Sequence, residues 1–443
     1  MHPSSVTETP HGLNSPPSPR EGTRPTDGGS GRLIRRPARL RRCAPTPPAL
    51  TRRATLSRRQ FAARTALASL AIAAHPLRAA EPARRLRAAI IGHTGGGDYG
   101  HGYDRVFDGL AEVEVVAVAD PDGQGRAQAQ ARCGAPRGYA DYRELLNRER
   151  PDLVSIAFRH PRRHAEVALA ALEVGAHLFL EKPLTETLAD ADRIVEAVDR
   201  RGARTVVAHN RRYTPEFQHA RALLLEGFVG RVREIHCHGK QDARAGGEDM
   251  MVLGTHDFDW FRHCFGDPLW CTATVLKDGR EALPGEARDG REPIRVLGDT
   301  IRARFGFPGN LTATWDSVRT RDDWNERRGT REHWSFEILG TRRILAYHSG
   351  VGFAYLESPY LLHPANDIRW QSLPSAQAPT PPPHQRHMGR DLVHAVQTGE
   401  PTLCSVHDGR WAVEMVEAVY QSHRTRSRVS FPLTERVGLP PST

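Results

Sequence analysis

From Leu86 onward, short apolar runs alternate with amphipathic stretches. Leu86–Ile91, Glu114–Ala119, Leu153–Phe158, His177–Leu180 and Thr205–Ala208 each read as a buried strand. Between them, Val167–Leu172 reads as helix ending at Gly175. Leu188, Ala191, Val195 and Val198 keep one helical face until Gly202, with Thr187 as the N-cap. Apolar strands separated by helices predict parallel βαβ units. After Phe217 the cadence changes. Val232–His238, Cys271–Leu276, Ile301–Phe307, Leu311–Val318 and Phe336–Leu339 predict strands, with Pro308-Gly309-Asn310 as a hairpin turn. Consecutive strands with few helices between them predict a largely antiparallel sheet in a second domain. Pro374 to Pro383 reads as a loop, and Met388–Gln397 and Arg410–His423 as helices.

The first strand runs into "IIGHTGGGDYGHGYD", Ile90 to Asp104, with six glycines in fifteen positions. A dinucleotide fingerprint reads G-x-G-x-x-G between a strand and a helix. Gly92 is in place, but Thr94 stands at the second glycine. The loop precedes a helix-like stretch from Tyr103, and Asp120 closes the second strand 28 residues after Gly92. A carboxylate there accepts hydrogen bonds from an adenosine ribose. The context is that of a nucleotide loop longer than standard. Gly92 permits the tight turn, and Thr94 and Gly95 continue the loop. Gly100 and Gly102 are expected to let a helix N-terminus approach a pyrophosphate, whose charge its free amides favour. Asp120 would repel a 2′-phosphate, so NAD is favoured over NADP.

Charge changes the picture once it is located. The net charge is +10, but residues 1–87 carry 17 Arg against four acidic residues, leaving −3 for the remainder. A mildly acidic globular part argues against a nucleic-acid partner. Residues 1–56 are proline-rich, without sustained apolar periodicity, and read as a disordered leader. Residues 57–80 hold Ser57-Arg58-Arg59-Gln60-Phe61 and then the small-residue apolar run Ala66 to Ala74. This resembles a twin-arginine export signal. The run is too short for a membrane anchor. The partner it implies is the twin-arginine export machinery, and the expected location is periplasmic or extracellular. Six scattered cysteines show no C-x-x-C spacing, hence no zinc knuckle and no dense disulfide framework.

Lysine is nearly absent: Lys182, Lys240 and Lys277 are the only three among 62 basic residues. A chain that uses Arg wherever a plain charge suffices gives weight to a retained Lys, whose pKa can be tuned. Lys182 lies in Glu181-Lys182-Pro183, directly after the fourth of these strands, on the edge where parallel sheets bind ligands. Asn210 and Arg212 follow the fifth strand and are placed to face cofactor or substrate. Lys240 precedes the polar "QDARAGGED" and either lines a substrate cleft or sits in a solvated loop.

With these motifs, and with Arg162-Arg163-His164, "LEKPLTETLADAD", "HNRRYTPEF" and "LGTHDFDWFRHCFGDP", the chain resembles the glucose–fructose oxidoreductase and inositol dehydrogenase (Gfo/Idh/MocA) family from about Leu86 to Pro432. The resemblance implies a Rossmann domain over 86–210 and a substrate-binding α+β domain with an open sheet over 211–443. It implies NAD or NADP between the two and a sugar, cyclitol or polyol substrate; a homo-oligomer is expected. Glu181, Lys182 and Asn210 would meet the cofactor, Lys182 would also meet the reacting hydroxyl, and His256 would be the general acid/base. Imidazole titrates near neutral pH, and an ammonium stabilises developing alkoxide charge. The family usually carries Asp four residues before this His, where Val252 stands here. Asp249 or Asp259 is left to orient His256, unless the chemistry differs. Both join Lys240 and Arg212 as substrate-side candidates. His256, Asp259 and His263 share a helical face, but that spacing more often sets a carboxylate beside a His, and no metal is expected. Trp315 and Trp334 are expected to be core residues rather than sugar-stacking platforms.

The leading expectation is an exported oxidoreductase. The alternatives are an NAD-dependent glycosidase working by transient oxidation, and a non-catalytic sugar-binding protein of the same fold. An exported enzyme has little free NAD to draw on, so export would require a tightly retained cofactor. Export is checked by changing Arg58-Arg59 to Lys-Lys and fractionating cells. Folded precursor should accumulate in the cytoplasm, and unchanged periplasmic yield would exclude a twin-arginine signal.

Overall fold

The computed structural model describes residues 84–240, 242–319, 335–349, 351–358, 369–373 and 384–440. The leader, the export signal, Trp334 and the Pro374–Pro383 segment lie outside the described residues.

The apolar runs form a six-stranded parallel sheet. Its strands are β1 (Leu86–Ile91), β2 (Val113–Ala119), β3 (Arg137–Tyr139), β4 (Leu153–Ile156), β5 (His177–Leu180) and β6 (Thr205–Val207). The spatial order is β3-β2-β1-β4-β5-β6, so the winding reverses between β1 and β4. Ligands bind outside the carboxyl ends of strands at such a reversal. The helix Leu188–Arg201 starts with the Thr187 hydroxyl accepting the Asp190 amide at 3.1 Å and stops at Gly202, φ 64°. The helix Gly123–Cys133 buries only Gly125 and Ala129, too little to leave an apolar stripe in the sequence.

One expectation fails at the glycine loop. The helix anticipated from Tyr103 is a single 3₁₀ turn, Tyr103–Arg105. Left-handed glycines at 102 and 109 bracket this segment. Its apolar residues Tyr103, Val106, Phe107 and Leu110 are tucked inward. The C-terminal helix His384–Thr398 lies against it, with Gly389 packed on the Val106 carbonyl. No long helix dipole therefore points at a pyrophosphate here.

The second sheet has ten strands among the described residues, and only Val232–His238 with Leu311–Val318 pair in parallel. Thr300–Phe307 turns into Leu311–Val318 through Pro308-Gly309-Asn310, where Gly309 and Asn310 have positive φ. Leu311–Val318 alternates buried and half-buried positions, as a strand with one covered face should. The helix Thr255–Phe265 packs Phe258, Trp260 and Phe261 among Phe217, Phe305, Phe336 and Trp315. Trp315 is fully buried, and its indole N–H donates to Asp257 at 3.0 Å; it is a core residue.

The chain then returns to the first sheet. The Val207 amide donates to the Cys404 carbonyl at 2.9 Å, and the helix Val406–Thr425 packs on Leu188–Arg201, Thr255–Phe265 and Trp270–Lys277. Arg212 ties these pieces together. Its guanidinium grips Asp259 with two bonds of 2.6 and 2.8 Å, and also donates to the Leu403 carbonyl at 2.8 Å and to Asp408 at 2.9 Å. Both Arg212 and Asp259 are buried. Their expected substrate-side role is thus corrected: each occupies the other, and the pair fastens the end of the first domain to the second. Asp259→Ala would leave the guanidinium facing only part of its partners, so unfolding stability should fall by about 3–5 kcal/mol in urea titrations. A loss below ~1 kcal/mol would mean the pair is not a clamp.

Candidate active site

Two cavities open on the carboxyl edge of the parallel sheet. One, of about 160 Å³, lies at the ends of β1, β2 and β4 and is lined by Gly92, Asp120, Pro121, Tyr142, Phe158 and Arg163, among others. The other, of about 300 Å³, lies at the ends of β5 and β6, where Lys182 and Asn210 meet Lys240, Val252 and His256 from the second domain. A dinucleotide spans such an edge across the point where the winding reverses. The donor sets fit that ligand: Gly92 and the residues around Asp120 would hold its adenosine side, and Glu181, Lys182 and Asn210 its nicotinamide side.

The glycine loop connects the two cavities. Gly92 has the Tyr99 ring against it where a Cβ would stand, and Gly95 is exposed at the loop's crown. Asp120 is completely buried. Its carboxylate accepts the Thr94 amide at 3.0 and 3.1 Å, the Thr94 hydroxyl at 2.8 Å and the Asp122 amide at 3.0 Å. The expected ribose contact is therefore corrected. The oxygens of Asp120 are engaged in fastening the loop, and Thr94, which displaced the second fingerprint glycine, is the residue they hold.

In the larger cleft, Lys182 is buried, and its Nζ donates to the Val252 carbonyl at 3.2 Å. Val252 belongs to a π-helical turn, Met250–Gly254, that leads into Thr255–Phe265. Such turns recur at functional sites, where the extra residue shifts the direction of neighbouring side chains. His256 comes second in the helix. Its Nδ1 is buried without a hydrogen-bond partner, and burial followed by Lys182, His209 and Arg211 pushes its pKa well below the ordinary value. The ring is therefore neutral at neutral pH. His209 packs edge-on to it, centroids 5.4 Å apart, and neither of its nitrogens has a partner.

The acids expected near His256 are engaged elsewhere. Asp259 is held by Arg212. Asp249 is fully buried and accepts the Lys240 amide at 2.6 Å and the Ser317 hydroxyl at 2.8 Å. Burial pushes the Asp249 carboxyl up to about 6, against the attraction of Lys240. Asp249 thus supports Lys240 through one oxygen, while its other oxygen is buried without a partner and the residue is not part of the cleft lining. Lys240 itself lines the cleft, its pKa lowered by burial to about 8. Sequence reasoning missed His101, Arg211, Tyr347 and His384 on the same cleft. Of these, only His101 carried a local signal, being a lone functional side chain between two glycines. Among the described residues, no group of three His, Cys, Asp or Glu side chains is placed to hold a metal.

A switch-point nucleotide site facing a cleft closed by a second domain is the build of a dinucleotide-dependent oxidoreductase. Comparison with known families bears on the same residues. Residues 86–209 match the family model described as "Oxidoreductase family, NAD-binding Rossmann fold", and residues 217–346 match "GFO/IDH/MocA C-terminal domain". Between them they take in more than half of the chain. The protein belongs to the Gfo/Idh/MocA oxidoreductase family, with an NAD-binding Rossmann domain. The chain is 24% identical to myo-inositol 2-dehydrogenase of Thermotoga maritima over 319 residues, 69% of this chain and 87% of that enzyme. It is 24% identical to levoglucosan dehydrogenase of Pseudarthrobacter phenanthrenivorans over 243 residues, 49% of this chain and only 60% of that enzyme's length. The structure of a levoglucosan dehydrogenase in complex with NADH and levoglucosan superposes with a TM-score of 0.64 at 19% identity, covering 79% of this chain and all of the other.

Because Asp120 fastens the loop, Asp120→Ala should weaken NAD and NADP by similar factors in calorimetry. A selective gain for NADP would show instead that this carboxylate reads the ribose.

Proposed function

We propose that the protein is an NAD-dependent dehydrogenase acting on a secondary hydroxyl of a sugar, cyclitol or related polyol. One observation carries the reading: two of the chain's three lysines, with His256 and Asn210, converge on one cleft at the ends of β5 and β6. The named activities of the myo-inositol and levoglucosan relatives support the substrate class.

NAD supplies the hydride acceptor when bound. The Lys182 ammonium has given one bond to Val252 and keeps donors for the substrate oxygen, where it stabilises alkoxide character. Lys240 offers a second cation in the same cleft, suited to a neighbouring hydroxyl. The neutral His256 ring lines the same cleft beside Lys182 and offers a hydrogen-bond partner to the substrate hydroxyl. Val252 and Leu253 add an apolar wall, so the polar groups act where water is limited.

The same reading extends to export, supported by the Arg58-Arg59 motif and the apolar run after it. An exported dehydrogenase of this type keeps its NAD and returns the electrons to a second substrate. A solved neighbour named as an aldose–aldose oxidoreductase from Caulobacter crescentus supports such a redox-neutral cycle; it superposes with a TM-score of 0.60 at 20% identity, over 79% of this chain and all of the other.

The test is mass spectrometry of products from a panel of sugars, cyclitols and glycosides incubated with NAD-loaded protein. A two-hydrogen loss from a polyol is expected. Lys182→Ala should lower that turnover by at least ~10²-fold, and Lys182→Arg should not restore it. Near-native turnover in Lys182→Ala would overturn the assignment.

A further inference from the structure

Toward its end the lengthened glycine loop carries His101, held between Gly100 and Gly102, with φ of 59° and 81°. Side chains other than glycine rarely adopt this left-handed backbone. Gly100 also lies so close to the strand ends that a Cβ would collide with the Ala157 carbonyl oxygen and crowd the Glu181 carboxylate. The loop therefore lies down on the carboxyl edge of β4 and β5, and the imidazole of His101 meets Glu181. Nδ1 stands 2.5 Å from Oε1. The carboxylate is fully buried, while the His101 side chain is 47% exposed and lines the cleft with Lys182 and His256. Gln385 of the C-terminal helix steadies the loop by donating to the His101 carbonyl at 3.1 Å.

Two features make this pair more than a surface contact. The second oxygen of Glu181 accepts the Lys182 amide at 2.9 Å, so one buried carboxylate holds the backbone of the lysine and the ring of the histidine together. Burial acts to raise the Glu181 carboxyl, but His101 and Lys182 outweigh it and hold it below the usual range. The carboxylate oxygen accepts in this bond, which puts the hydrogen on Nδ1; in the neutral ring of that tautomer the Nε2 lone pair is available. A carboxylate behind a histidine sets the tautomer and stabilises the imidazolium that forms. His256 has no such support: its Nδ1 is unpartnered, and Val252 stands where an orienting acid would be.

We propose that His101, backed by Glu181, is the general acid–base residue of the reaction, and that His256 holds the substrate hydroxyl without taking its proton. The proposal rests on the dehydrogenase reading. In oxidation the substrate O–H bond breaks and an N–H bond forms at His101 Nε2, as the C–H electron pair leaves for the nicotinamide. Lys182 donates to the same oxygen throughout. The imidazolium, paired with Glu181, then loses its proton to solvent from the exposed edge of the ring. The groups facing His101 are Glu181 and Lys182 just after β5, Tyr103 beside it, Arg211 after β6, His256 from the second domain and His384 from the helix His384–Thr398.

The test uses the full chain, loaded with NAD, on the polyol that the wild type oxidises best. His101→Ala should lower kcat by about 10²–10³-fold, with KM and the calorimetric NAD Kd moving less than about threefold. Added imidazole should restore turnover saturably, a response that a purely structural defect would not give. His256→Asn should mainly raise KM and gain nothing from imidazole. The proposal is overturned if His101→Ala keeps near-native kcat, if it loses NAD binding and is not rescued, or if imidazole rescues His256→Ala instead. These outcomes leave the dehydrogenase reading standing. A wild type that binds NAD yet oxidises no member of the panel overturns both.

Discussion

The bidentate grip of Arg212 on Asp259 is the contact on which the site's geometry depends. Arg212 stands just after β6, Asp259 on the helix Thr255–Phe265 of the second domain, and Asp408 at the start of the long helix Val406–Thr425. Lys182 reaches the cleft from the first domain, and His256 and Lys240 from the second. A buried guanidinium that satisfies four acceptors fixes how these two sets meet, because a planar fork tolerates little rotation. Desolvating the charges is expensive, so the pair costs much if half of it is removed and specifies one arrangement while it is whole.

The glycine-rich loop presents the opposite problem. Six glycines confer large conformational freedom in the unfolded chain, and folding must offset that loss. Two buried carboxylates do so, one at each end. Asp120, after β2, takes the amide and hydroxyl of Thr94; Glu181, after β5, takes the ring of His101. Both are charge-assisted bonds inside a desolvated edge, where they are stronger than in water. The loop is long, but it is anchored at each end to the strand edge it covers.

Apart from the exposed Glu216, charge in the cleft is arranged in two layers. Lys182, Lys240 and Arg211 line it, while Glu181, Asp249 and Asp257 lie buried behind them. Burial and the neighbouring cations keep His256 neutral, and burial keeps His209 so. A cation-lined site with its counter-charges set back favours negative charge developing on a substrate oxygen. It does so without reorganisation at the moment of reaction.

Much of this architecture was legible in the residues. The apolar runs marked β1, β2, β4, β5 and β6, Thr187 and Gly202 marked the ends of one helix, and Pro308-Gly309-Asn310 marked a hairpin. These features depend on neighbours a few positions away. Lys182 was legible because lysine is so rare here and because it directly follows a strand. The roles of Arg212, Asp259, Asp249 and Asp120 were not legible. Arg212 pairs with a carboxylate 47 residues away and another 196 residues away, and Asp120 with a threonine 26 residues before it. Whether a charged side chain faces a cleft or a buried partner is set by which distant segment folds against it. The Tyr103 segment had helical composition, but glycine conformations and a C-terminal helix nearly three hundred residues later decided against a helix. Sequence by itself determined the strands, their caps and the edge where chemistry would sit, because backbone geometry and apolar periodicity are local. Tertiary structure alone decided which acids fasten the scaffold and which histidine meets a carboxylate, because charge pairing is a matter of distance in space.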